Sequence, residues 1–159
     1  MNTAHRRACA LALIAGFPAL LSGCVNQQQR DIQTIADFQH NTSGQYRSDS
    51  GAMLYIVPVR SRMVTDESMY IERHDPNGTI FGRLLDLRVS SDGEKVVQAA
   101  LAFTQEGQWR NLRENPELFT ALLPKDVKPA GTCDIQPFED LNSVSYSCGG
   151  SSPEIFKRQ

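Results

Sequence analysis

Histidine and cysteine are scarce in this chain, 3 and 4 in 159 residues, and no Cys-x-x-Cys or His-rich spacing joins them. That excludes the usual zinc frameworks. The sequence also lacks a phosphate loop, a zinc helix, a paired-carboxylate motif and a Gly-x-Ser-x-Gly elbow, so none of the familiar hydrolytic or nucleotide chemistries is written into it. Ser143, Ser145 and Ser147 alternate instead as one polar face of a strand. Positive charge is not in excess. Lys and Arg total 16 against 18 Asp and Glu, for a formal charge of −2, which argues against nucleic acid as a partner. No apolar run reaches the roughly 20 residues needed to cross a bilayer. The longest, residues 8–21, holds 14 residues and contains Pro18. No internal repeat, low-complexity tract or second domain interrupts the rest.

What is present at the start is a charged opening with Arg6 and Arg7, that short apolar run, and small residues before a junction. This is the layout of a secretory signal peptide over residues 1–23. The junction Leu21-Ser22-Gly23-Cys24 resembles the lipobox of bacterial lipoproteins. The resemblance implies cleavage before Cys24 and lipid on that cysteine. Val25 in place of Asp implies sorting to the outer membrane, with the domain on the periplasmic face. Lipid would then supply the membrane attachment, at about 0.8 kcal/mol per buried methylene and with more than one chain. Cleavage removes Arg6 and Arg7 but none of the 18 acids, and so moves the formal charge from −2 to −4. The remaining 136 residues suit one domain with a real core.

The cysteines sort accordingly. Cys9 leaves with the signal and Cys24 carries lipid, so Cys133 and Cys148 remain as an even pair in an oxidising compartment. A disulfide is expected. The alternatives are two free thiols or a metal site, for which only His40 and His74 are at hand.

Residues 24–30, polar and rich in glutamine, read as a tether, and the folded domain is expected over 31–159. Ile32, Ile35 and Phe38, with Ala36 beside them, recur at helical spacing from Asp31. The period then changes to two. Met53–Val57 forms a strand whose Pro58 suggests an edge or an end. Ser68–Arg73, Thr79–Val89 and Lys95–Thr104 follow, separated by Asp75-Pro76-Asn77-Gly78 and Ser90-Ser91-Asp92-Gly93, both hairpin turn signals. Phe81, Arg83, Leu85, Leu87 and Val89 share one face of the third strand. Val97, Ala99, Leu101 and Phe103 alternate on the fourth. Asn115-Pro116-Glu117 is a helix start, with Asn115 as cap, and Leu118, Phe119, Leu122 and Leu123 form its apolar side before Pro124. Cys133–Phe138 and Ser143–Cys148 make a terminal hairpin. A single antiparallel meander of this kind closes into a barrel, which removes its edges. A small barrel either holds one small ligand or is filled by its own side chains, here expected to be Phe81, Leu85, Leu101 and Phe103.

Ser43-Gly44-Gln45-Tyr46, Met69-Tyr70-Ile71-Glu72, Gly82-Arg83-Leu84-Leu85, Leu118–Leu123, Gly131-Thr132-Cys133-Asp134-Ile135 and the later Cys148 stand in an order and spacing similar to the CpcT/CpeT family of phycobiliprotein chromophore lyases. The likeness spans most of residues 31–150. It implies a mainly β, lipocalin-like (calycin) barrel with an N-terminal helix and a short helix before the terminal hairpin. It also implies a linear tetrapyrrole as ligand and its transfer to a cysteine of a partner protein. The family's Tyr-Arg-x-Arg strand reads Ile80-Phe81-Gly82-Arg83 here, and Thr132 splits its Gly-Cys pair. An exported lipoprotein is also apart from the cytoplasm in which those lyases work. The fold is therefore the firmer inheritance. Three functions follow as expectations: a binder of a hydrophobic or amphipathic small molecule such as a tetrapyrrole or lipid, a bilin lyase or chaperone, or a structural envelope lipoprotein with a filled barrel. Whether the chain is an enzyme stays open, with chromophore-lyase chemistry as the reading if it is one, and no resident cofactor or metal is expected.

Three residues are candidates for contact with a ligand. Arg83 sits among apolar neighbours, and its guanidinium fork suits a carboxylate. Glu72 shares a face with Tyr70, and hairpin pairing is expected to bring Glu72 near Arg83. The two then serve a ligand together, or form a plain cross-strand ion pair. His40 and His74 fall at a helix end and beside a turn, positions that are usually solvated. Trp109 is expected over an open barrel end or against a ligand.

Overall fold

A computed structural model describes residues 22–64, 67–105 and 112–159. One helix, α1 (Ser22–Thr42), precedes eight strands: β1 (Gly44–Ser48), β2 (Met53–Val59), β3 (Ser68–His74), β4 (Ile80–Val89), β5 (Val96–Phe103), β6 (Val127–Pro137), β7 (Ser143–Cys148) and β8 (Glu154–Arg158). Each strand pairs antiparallel with the next, and β8 returns to β1, so the sheet is a closed barrel in simple meander order. Closure leaves no edge, so Pro58 does not mark one. It sits exposed near the end of β2, opposite Met69.

The expected turns form as their residues dictate. Asp75 and Thr79 close the β3–β4 hairpin, with Gly78 at φ 86°, a conformation that favours glycine. Two strands of five residues, β1 and β8, add to the six that alternation suggests. The helix differs as well. It begins at Ser22 rather than Asp31, so the polar stretch 25–30 is helical. Ile35 is buried and Phe38 packs beside it, whereas Ile32 is half exposed. Thr42 turns its hydroxyl back to the Phe38 carbonyl at 2.7 Å, and Gln39 Nε2 bonds the Ser68 carbonyl. The C-terminal half of α1 thus lies against one end of the barrel.

Register settles which side chains face inward. Tyr46, Leu54, Ile56, Met69, Ile71, Leu85, Leu87, Ala100, Ile135, Val144 and Phe156 form one core, each no more than 2% exposed. A second core lies outside the barrel wall. There Val59, Tyr70, Leu84, Phe103 and Val127 are covered by Leu112, Phe119 and Leu122 from the β5–β6 connection. β5 is where the expected faces invert. Its inward residues are Val96, Gln98, Ala100 and Ala102, while Leu101 and Phe103 point outward under that cover. Both faces of its upper half are apolar, so alternation alone cannot choose between them. Of the four residues expected to fill the barrel, Leu85 does so, Phe81 is 40% exposed at the far rim, and the other two belong to the outer core.

The expected helix after Asn115 is a 3₁₀ turn, Pro116–Ala121, followed by a second at Pro124–Asp126. Pro116 takes the first turn as anticipated, but the Asn115 side chain makes no capping bond. Cys133 and Cys148 are directly opposite on β6 and β7 and form a disulfide, with Cα atoms 4.1 Å apart.

Candidate functional site

The pairing of β3 with β4 sets Ile71 opposite Arg83 and Glu72 opposite Gly82. Successive residues on a strand point to opposite faces. Arg83 therefore enters the barrel, and Glu72 joins Tyr70 on the outer wall. The hairpin does not bring Glu72 and Arg83 together, because they lie one register position apart. The three candidate residues divide into two places.

The outer place is a buried polar cluster. Tyr70 donates its hydroxyl to Glu72 Oε2 at 2.8 Å. His74 Nε2 lies 2.5 Å from Glu72 Oε1, and Arg113 Nη1 is 3.3 Å from the same oxygen. Glu72 is only 2% exposed. Arg113 stacks its guanidinium 3.9 Å over the Tyr55 ring, and its buried Nη1 makes no well-aligned hydrogen bond. Tyr70 packs against Phe103 and Phe119. Burial, and then the Glu72 charge beside it, push the Tyr70 hydroxyl far above the usual tyrosine range. Both carboxylate oxygens are engaged, so the cluster ties the β5–β6 connection to the wall through Arg113. A carboxylate orienting an imidazole is also half of a general-base pair, and His74 is partly exposed. Arg113 escapes sequence reasoning because it stands in a polar segment with no pattern. Trp109 lies outside the described residues.

The inner place is the rim opposite α1. Arg73 Nε meets Asp75 Oδ1 at 2.7 Å, and its Nη2 meets Glu154 Oε2 at 2.9 Å. Its guanidinium lies 5.7 Å from the centre of the Phe156 ring. Arg83, half-buried, donates to the Gly82 carbonyl at 2.7 Å, and no carboxylate among the described residues comes within ion-pair distance of it. Burial raises the Tyr146 hydroxyl's affinity for its proton, while Arg73 and Arg83 oppose that effect. Phe81 completes the rim.

Cys24 falls in the first turn of α1, and residues 1–21 lie outside the described residues. No described helix is long and apolar enough to cross a membrane. Among the described residues no cluster of three metal-ligating side chains forms. His40 ends α1 exposed. No protein family, curated protein or solved structure matches this chain.

Proposed function

We propose that this chain is an outer-membrane lipoprotein, acylated at Cys24 and facing the periplasm, whose barrel is a filled scaffold that acts through its surface. The observation that carries the reading is the inner core. Eleven inward side chains, drawn from all eight strands, are each at most 2% exposed, which supports an interior packed by its own side chains over one open to a tetrapyrrole-sized guest. The meander order and the helix laid against one end support the lipocalin-like (calycin) lineage implied by the CpcT/CpeT resemblance. The filled interior weighs against inheritance of its bilin chemistry. The resemblance of Leu21-Ser22-Gly23-Cys24 to a lipobox and the Cys133–Cys148 disulfide support the exported setting.

A second reading keeps small-molecule binding, confined to the rim. Among the described residues Arg83 stands there without a carboxylate while Arg73 holds two. An acidic amphipath would place its carboxylate on Arg83 and its apolar part against Phe81. Native mass spectrometry of the protein drawn from its own envelope separates the two. A bare acylated protein supports the filled scaffold. A retained small molecule that disappears in Arg83→Ala supports the rim, and a retained bilin overturns the scaffold reading. An N-terminus other than acylated Cys24 removes the lipoprotein assignment.

A further inference from the structure

The β2–β3 loop carries Arg60-Ser61-Arg62 and faces the 3₁₀ turn Pro116–Ala121 across a cleft. The cleft has a volume of about 350 Å³ and is lined by Arg60, Ser61, Arg62, Val64 and Thr120. Arg73, Arg88, Arg113 and Lys157 each hold a carboxylate within 4 Å. Arg60 and Arg62 hold none among the described residues, and both are exposed. Their backbone is not a loose loop. Ser61 is buried and its Oγ accepts the Met63 amide at 3.3 Å. Ser68 Oγ donates to the Val59 carbonyl at 2.7 Å, and Met63 and Val64 pack on the outer core. With Ser61 turned in, the two arginines flank it, and the Ser61 hydroxyl keeps its own proton to donate.

We propose that this cleft binds a single phosphate group. Two guanidinium forks and one hydroxyl donor match the oxygens of a phosphate, which arginine grips in bidentate fashion. The neighbouring cleft shares Arg60 and Thr120 but adds Glu67 and Glu117. Those acids disfavour a second anionic group beside the first, so the site selects a monoester or diester over a polyphosphate. Gln39 of α1 lines the same neighbouring cleft. The site therefore lies at the barrel end against which α1 packs. The phosphate has two possible sources, a lipid headgroup or free phosphate, and the lipid source alone rests on the anchoring reading above.

The test uses the full mature chain in neutral maltoside micelles, with the arginine Nε–Hε signals followed by NMR. Inorganic phosphate is titrated in one arm, and phosphatidylglycerol is added to the micelles in the other, at constant ionic strength. Saturable shifts of Arg60 and Arg62, weakened at least tenfold in Arg60→Gln/Arg62→Gln as read on the loop backbone amides, are expected in at least one arm. Shifts with phosphate alone assign a free anion, and shifts with phosphatidylglycerol alone assign a headgroup. Flat signals in both arms, or equal backbone shifts in the double variant, overturn the site. Should the glutamine variant misfold by circular dichroism, Arg60→Lys/Arg62→Lys keeps the charge and loses the fork, and undiminished binding there overturns the bidentate grip.

Discussion

Gly82 stands directly beneath the Tyr70 hydroxyl: a methyl group on Gly82 would come within 2.9 Å of that oxygen. The Tyr70 ring is held between Phe103 and Phe119 and cannot swing away cheaply. Gly82→Ala is therefore expected to cost about 1–3 kcal/mol by overpacking. In Tyr70→Phe the oxygen is gone, and the same alanine should cost distinctly less. Urea unfolding of the four proteins of this double-mutant cycle measures the coupling. Additive losses would show that Tyr70 yields freely.

Glu72 is the centre of the outer cluster. Removing one partner of a buried pair strands the others, and such losses run to about 3–5 kcal/mol. Glu72→Ala should lose stability in that range. Arg113→Ala should lose less, since that arginine is partly exposed and Glu72 keeps Tyr70 and His74. A Glu72→Ala protein as stable as wild type in urea would refute the clasp.

If the barrel is filled, its smallest inward residues have no slack. Ala100 is 2% exposed and faces the interior opposite Leu85. Ala100→Leu is expected to cost about 1–3 kcal/mol through overpacking. A stabilised Ala100→Leu protein would instead reveal an internal void.

Burial raises the hydroxyls of Tyr46, Tyr70 and Tyr146 above the ordinary tyrosine value. A raised pKa in the folded state favours the protonated form. The associated stability is full below the unfolded value of about 10, and falls as pH climbs from there toward the folded values, because the unfolded chain then loses protons that the native one keeps. Stability should decline above about pH 10, and phenolate absorbance should rise steeply with unfolding rather than before it. Ordinary titration of Tyr46, Tyr70 and Tyr146 in the folded protein would contradict this.

Cys133→Ser with Cys148→Ser opens a loop of 15 residues, for which chain entropy gives about 3 kcal/mol. Reduced wild-type protein should match the double variant in thermal unfolding.

Much of the architecture was legible in sequence because turn chemistry and alternation agree with it. Asn77-Gly78 and Asp92-Gly93 mark their hairpins, and Cys133 and Cys148 bracket the β6–β7 hairpin. β1 and β8 were not legible, since five residues with mixed polarity carry too short a pattern. β5 misled because Leu101 and Phe103 are apolar toward a cover supplied from residues 112–122, a tertiary fact with no local signal. The same cover hides the outer cluster. Tyr70 and Glu72 could be placed on one face by counting, but Arg113 reaches them only through the fold. Arg83 was correctly set on an apolar face, and its separation from Glu72 follows from a register that differs by a single residue.

The closing pair of strands has a consequence for biogenesis. Tyr46 pairs with Arg158, Arg47 with Lys157 and Ser48 with Phe156, and Phe156 is itself part of the inner core. The ring cannot be completed until the last of these residues has been delivered. A chain not yet extended to β8 meanwhile presents β1 and β7 as two open hydrogen-bonding borders. Truncation within residues 154–158 would make that transient state permanent, turning a closed barrel with no border into one that can recruit strands from its neighbours.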